Sequence, residues 1–135
     1  MNQCDLTMDI ARWLSPELAF TVSCEFSYAD QDPFAVTLVL DADGVRPVRW
    51  VLSRDLLADG LTARSGTGDV MVWPVHDLPD GETSSFCLRL VNTHAVVFEI
   101  AAEPVAQWLA RTYTMVPRGT EMDGADWDEL LQFAD

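Results

Sequence analysis

Apolar residues fall at every second position from Phe20 to Tyr28, where Phe20, Val22, Cys24, Phe26 and Tyr28 alternate with Thr21, Ser23, Glu25 and Ser27. A strand turns successive side chains to opposite faces, so this run predicts a strand with one buried face. A looser alternation through Leu6, Met8 and Ile10 predicts an earlier strand, closed by Ser15-Pro16. After the break at Asp30-Gln31-Asp32-Pro33, Phe34, Val36, Leu38 and Leu40 begin another strand. Asp41-Ala42-Asp43-Gly44 supplies turn residues, and Val48, Trp50 and Leu52 line the return. Arg54 to Leu61 fits a short helix, with Ser53 capping its first amides and Gly60 ending it in a left-handed conformation.

Beyond Ser65-Gly66-Thr67-Gly68 the run Asp69 to Val75 reads as extended, and Pro74 marks an end, a bulge or an edge strand. Phe86, Leu88 and Leu90, then Val96, Phe98 and Ile100 beyond Asn92-Thr93-His94, predict a second hairpin. The period changes at Glu103-Pro104. Val105, Trp108, Leu109 and Tyr113 recur at helical spacing until Val116-Pro117 stops them. An acidic connector and terminal helix are expected over 118–135, where Asp126 and Glu129 form a capping-box-like pair and Trp127, Leu130 and Leu131 share a face. The expected fold class is α+β in a single domain over 1–135: antiparallel sheet of about seven strands, a short crossover helix and two C-terminal helices.

Charge narrows the partners. Asp and Glu number 22 against eight basic residues, all of them Arg, for a net charge of −14. Nucleic acid and anionic lipid are bound through clustered Lys and Arg, so both are disfavoured, and the Arg residues are scattered from Arg12 to Arg118. No basic segment followed by an apolar run opens the sequence, and no window approaches the ~18 apolar residues of a spanning helix. A cytoplasmic protein without direct membrane insertion is expected.

Chemistry is hard to find in the pattern. Cys4, Cys24 and Cys87 are odd in number and widely spaced, which favours buried free thiols over a disulfide framework or a zinc site. His76 and His94 fall in or beside turns without metal-ligand spacing, and Asp55 and Asp59 read as solvated charge in so acidic a chain. Gly66-Thr67-Gly68-Asp69 lacks the Lys and the following helix of a phosphate loop. No catalytic residue, cofactor site or metal site is expected, and the chain reads as a non-enzyme. Trp50, Trp73 and Trp108 suit either the core or an interface. The apolar stripe of Trp127, Leu130 and Leu131 suits either packing on the chain's own sheet or docking in a partner's groove.

The ordered motifs Asp32-Pro33-Phe34-Ala35-Val36, Trp50, Arg54-Asp55-Leu56-Leu57 with Gly60-Leu61, Gly66-Thr67-Gly68-Asp69-Val70, Pro74, Arg111-Thr112, and Val116-Pro117 with Gly119 and Glu121 resemble the SsgA-like sporulation and cell division family of actinobacteria. The resemblance runs from about Phe20 to the C-terminus and is closest in character to the SsgB type. It implies a whirly-like fold, a homotrimer, and a non-enzymatic role in septation during sporulation. It further implies recruitment to the septum, with the division GTPase FtsZ and family paralogues as partners. Whirly-like architecture also implies an alternative, single-stranded nucleic-acid binding on a sheet face, which the charge opposes. Phe34 and Tyr113 depart from the family pattern, and the N-terminal strand matches only loosely.

Overall fold

The computed structural model describes residues 2–76 and 84–122. Its elements run β1 (Gln3–Ser15), β2 (Leu18–Ala29), β3 (Ala35–Leu40), β4 (Val48–Ser53), α1 (Arg54–Gly60), β5 (Val70–Val75), β6 (Ser85–Val91), β7 (Ala95–Ala101) and α2 (Ala102–Met115). The seven strands form one antiparallel sheet in the order β4-β3-β2-β1-β7-β6-β5. Both predicted hairpins and the crossover helix are present. The predicted terminal helix, with Trp127, Leu130 and Leu131, lies outside the described residues.

Register decides which side chains meet. Leu6, Phe26, Leu38 and Trp50 are successive partners across β1 to β4, and Val72, Leu88 and Phe98 across β5 to β7. Directly paired residues share a face, so the alternation read from the sequence becomes one apolar surface. The helices cover it. α2 turns Val105, Trp108, Leu109 and Thr112 inward, the spacing of a single helix face.

The sheet is strongly curled, and the size of α1 shows why it must be. A seven-residue helix is only ~10 Å long, yet α1 packs against both β4 and β5, which stand at opposite ends of the strand order. In a flat sheet six spacings of ~4.8 Å would separate those strands by roughly 29 Å. β1 allows the curl by pairing with β2 along nearly its whole length but with β7 only over Ala11 to Trp13. On β1's remaining edge the Trp108 indole donates to the Cys4 carbonyl at 3.1 Å, while its ring sits 5.6 Å from that of Phe26. One side chain therefore satisfies a strand edge and fills the core.

Two glycine-rich positions separate cleanly. Gly66 and Gly68 adopt positive φ, as a tight turn requires, and Pro74 lies on the edge strand β5. Gly60 does not adopt the left-handed conformation expected of it; α1 is instead closed by Leu61 at φ −72°. The reason for glycine is space. A Cβ on Gly60 would stand 2.1 Å from Val72 Cγ1, so the absent side chain is what lets α1 lie on β5.

Gly60→Ala therefore separates the two explanations. Relief of helix entropy alone would stabilise the chain by roughly 0.5–1 kcal/mol, whereas the clash with buried Val72 should destabilise it by about 1–3 kcal/mol. Urea unfolding measures the sign, and a neutral or stabilised variant would remove the close approach as the constraint.

Candidate functional site

The family-like motifs, distant in sequence, converge on one buried group. Arg54, the first residue of α1, is completely buried, with its guanidinium 4.7 Å from the Tyr28 ring and 4.0 Å from that of Tyr113. Nη1 donates to the Thr112 carbonyl at 3.0 Å and Nη2 to Glu121 Oε2 at 3.2 Å. Nε has no hydrogen-bond partner among the described residues. Tyr28 in turn donates to the Pro33 carbonyl at 3.0 Å, and Tyr113 to Asp55 Oδ1 at 2.7 Å. Two aromatic faces, one carbonyl and one carboxylate thus hold a cation in the core.

The segment after α2 closes this centre from outside. Gly119, at positive φ, donates its amide to Glu121 Oε1 at 2.8 Å. Glu121 is held below the ordinary carboxylate range first by its own backbone amide and then by Arg54 and the Gly119 amide, against the opposing effect of burial. Arg118 grips α1 from the surface: Nη1 lies 2.8 Å from Asp59 Oδ1, and Nε 3.4 Å from Asp55 Oδ1. The expectation of merely solvated Asp55 and Asp59 is corrected here, because the fold brings Arg118 between them. As exposed pairs they contribute little individually. They nonetheless fix the strap over α1.

Glu99 and the cysteines are likewise engaged in structure rather than in chemistry. Glu99 accepts from the Trp13 indole at 3.1 Å and from Ser85 Oγ at 2.9 Å on the convex face. All three cysteines are free. Burial, followed by Glu25, pushes the Cys24 thiol up to about 12, and burial, followed by Glu99, pushes that of Cys87 up to about 11, so neither is a nucleophile near neutrality. Among the described residues no three His, Cys, Asp or Glu side chains are grouped to hold a metal ion. His76 and His94 are both exposed.

The helices fill only one end of the concave face. At the other end lies a cavity of about 390 Å³. One wall is Val22, Leu40, Val48 and Trp50; the facing wall is Leu90, Val96 and Phe98. Arg12, Arg46, Asp41, Asn92 and His94 also line it. Arg12 is placed there by register, being paired with Phe20 and Phe98 on the concave side. Volume and lining are those of a site for a small ligand or an inserted side chain.

The residues singled out from sequence are not brought together. Trp50 is half-buried in the cavity wall, and Trp73 is half-buried on the convex side, with the Arg64 guanidinium 5.8 Å from its ring. Trp108 is completely buried and belongs to the core, not to an interface. Sequence reading missed the cavity and Arg12 and Arg46 within it. Their only signal was Arg12 standing at an apolar position of the β1 alternation.

A curled antiparallel sheet closed by two helices and locked around a buried arginine places the protein in the α+β class of SsgA-like structures. It superposes on the solved structure titled for mutations in SsgB that correlate to longitudinal cell division during sporulation of Streptomyces coelicolor, with a TM-score of 0.83, 31% identity, and coverage of 90% of this chain and 94% of that one. The family model described as Streptomyces sporulation and cell division protein, SsgA, matches residues 22–121. Similar curated proteins are the sporulation-specific cell division proteins SsgB of Saccharopolyspora erythraea and of Streptomyces coelicolor. The first is 40% identical over 119 residues, 87% of this chain and 82% of the relative; the second is 34% identical over 129 residues, 95% and 90%. The chain belongs to the SsgA family of sporulation and cell division proteins.

The Arg54 centre has a pH signature. Because Glu121 titrates below its ordinary value of 4.5 in the folded chain, its charge stabilises the fold above that pH, and the contribution disappears as pH falls through the lowered value. Thermal melting followed from neutral to strongly acidic pH should show this loss. Glu121→Gln should melt lower at neutral pH and lack that part of the acid decline. Parallel profiles for the two proteins would remove Glu121 from the linkage.

Proposed function

We propose that this chain is a non-enzymatic adaptor of sporulation-specific cell division, acting in septum site selection and in recruitment of the divisome, FtsZ included, through protein–protein contacts. The observation that carries the reading is the family match across residues 22–121, together with relatives named as sporulation-specific cell division proteins along most of their length. The chemistry agrees. The family-like polar residues are spent on an internal lock around Arg54, leaving apolar surface in the concavity for a partner. No helix among the described residues is long and apolar enough to cross a membrane, so septal placement would come through a partner. The net charge of −14 supports a protein partner over single-stranded nucleic acid.

The protein works in this reading as a homo-oligomer, a trimer. Support comes from the hairpin of β1 and β2, whose far end exposes Leu14, Leu18 and Phe20, each about half accessible, and from the exposed Val51 on edge strand β4. Apolar hairpin tips and free strand edges are covered when copies associate. Static light scattering should give three times the chain mass, and a monomer throughout the micromolar range would remove this part of the proposal.

For the role itself, a fluorescent fusion in a sporulating actinomycete should form ladders at the septa, and a deletion strain should misplace or lose them. Diffuse fluorescence with normal septation in the deletion strain would sink the adaptor reading.

A further inference from the structure

We propose that the open end of the concavity is a receptor for a carboxylate-flanked apolar peptide segment of a partner protein, with the apolar side chain seated against Trp50 and Phe98 and its neighbouring carboxylates held by Arg12 and Arg46. The case begins with shape. The curl that α1 imposes brings β2, β3 and β4 opposite β6 and β7, but the helices occupy only the end near Tyr28 and Val36. The other end is left as a cavity of about 390 Å³ between two apolar walls. Its mouth continues onto exposed apolar surface at Val48, which is 50% accessible. A seat of this volume with an apolar margin suits one or two large side chains on a continuing backbone.

Charge selects the occupant. Arg54 and Arg118 are engaged in ion pairs, and Arg64 and Arg89 lie against Met71 on the convex side. Arg12, Arg46, Arg49 and Arg111 are exposed without an ion-pair partner among the described residues, and of these Arg12 and Arg46 line the cavity. In a chain with 22 Asp and Glu, two unpaired guanidiniums against one carboxylate, Asp41, give this apolar mouth a local excess of positive charge. Charges further apart than the Debye length of ~8–10 Å are screened, so a ligand at the mouth responds to these arginines more than to the net charge. The one carboxylate in the lining, Asp41, is folded over its own turn. Its Oδ2 lies 2.0 Å from where a Cβ of Gly44 would stand, and the Gly44 amide donates to its backbone carbonyl at 2.8 Å. Asn92 and His94 add polar groups on the opposite rim.

The inference rests on the adaptor reading only for the occupant being a segment of protein, and its test is a titration of the purified full-length chain, independent of septation. The probes are three amidated hexapeptides with a Leu-Trp centre flanked on each side by two Asp, two Ser or two Lys. Binding is followed by chemical shifts of the backbone amides and tryptophan indoles. The Asp peptide should shift the Trp50 indole and amides of Val48, Val96 and Phe98 saturably, more weakly as salt is added, and the Lys peptide should not. The double variant Arg12→Gln/Arg46→Gln alters exposed side chains only; it should keep the dispersed spectrum of the parent and weaken the Asp peptide by about tenfold or more.

Equal affinity for the Asp and Lys peptides, or shifts confined to the convex face, would overturn the proposal. So would shifts at these residues that depend on protein concentration alone, which would make a second copy the occupant. Binding that appears only after removal of residues 123–135 would overturn it in favour of the chain's own acidic tail. A fusion that still reaches septa while the titration fails would separate this inference from the function proposed above.

Discussion

A guanidinium with no access to water has to be surrounded, and the architecture at one end of this protein follows from surrounding Arg54. The residue is contributed by α1, its carboxylate by the strap after α2, its carbonyl acceptor by α2 itself, and its two aromatic faces by β2 and α2. These pieces come from three stretches far apart in sequence: Tyr28, Arg54, and Thr112 to Glu121. They meet only when the sheet has curled far enough for α1 to rest on both β4 and β5. Breaking a buried ion pair by removing one partner costs about 3–5 kcal/mol, a large part of the stability of a chain this size. The curl and the buried cation are therefore one requirement stated twice.

The same geometry explains why arginine occupies the position. A guanidinium is a flat cation that stacks between two rings while donating in its own plane, and here Nη1 and Nη2 reach different acceptors while Tyr28 and Tyr113 face the group. An ammonium at the same place would keep the charge but not the fork. Tyr113 is itself bound to Asp55, burial and that carboxylate together pushing its phenol well above the ordinary range, so it remains neutral and stays a donor. Tyr113 thus has a local purpose: it supplies one of the two walls around the cation.

How much of this was legible in the sequence depended on range. The strands were, because alternation such as Phe20 to Tyr28 is a local consequence of one buried face, and the helix of Val105, Trp108 and Leu109 was for the same reason. The role of Gly60 is hidden in the sequence because its neighbour Val72 is twelve positions away across the crossover, and a close approach leaves no local trace. Asp55 and Asp59 read as solvated charge because Arg118 is too distant in sequence to be paired with them by spacing. The cavity was invisible for a further reason. It is what the helices fail to cover, and only the relation between helix length and sheet curl decides that. Trp127, Leu130 and Leu131, expected on a terminal helix, fall outside the described residues.

Curl and charge together account for where a partner can act. A chain with a net charge of −14 repels its own kind and most acidic molecules at long range, so contact must be arranged locally. The interior lock consumes Arg54, and the strap consumes Arg118; these are the arginines the fold itself needs. Arg12 occupies a position in β1 where alternation calls for an apolar side chain, and Arg46 sits in the β3–β4 connection facing the same opening. Neither placement helps the fold: an apolar residue at position 12 would extend the concave surface, and a carboxylate at 46 would match the rest of the exterior. Residues that local stability does not explain, gathered at a concave apolar opening large enough for a side chain, are best explained by what enters it.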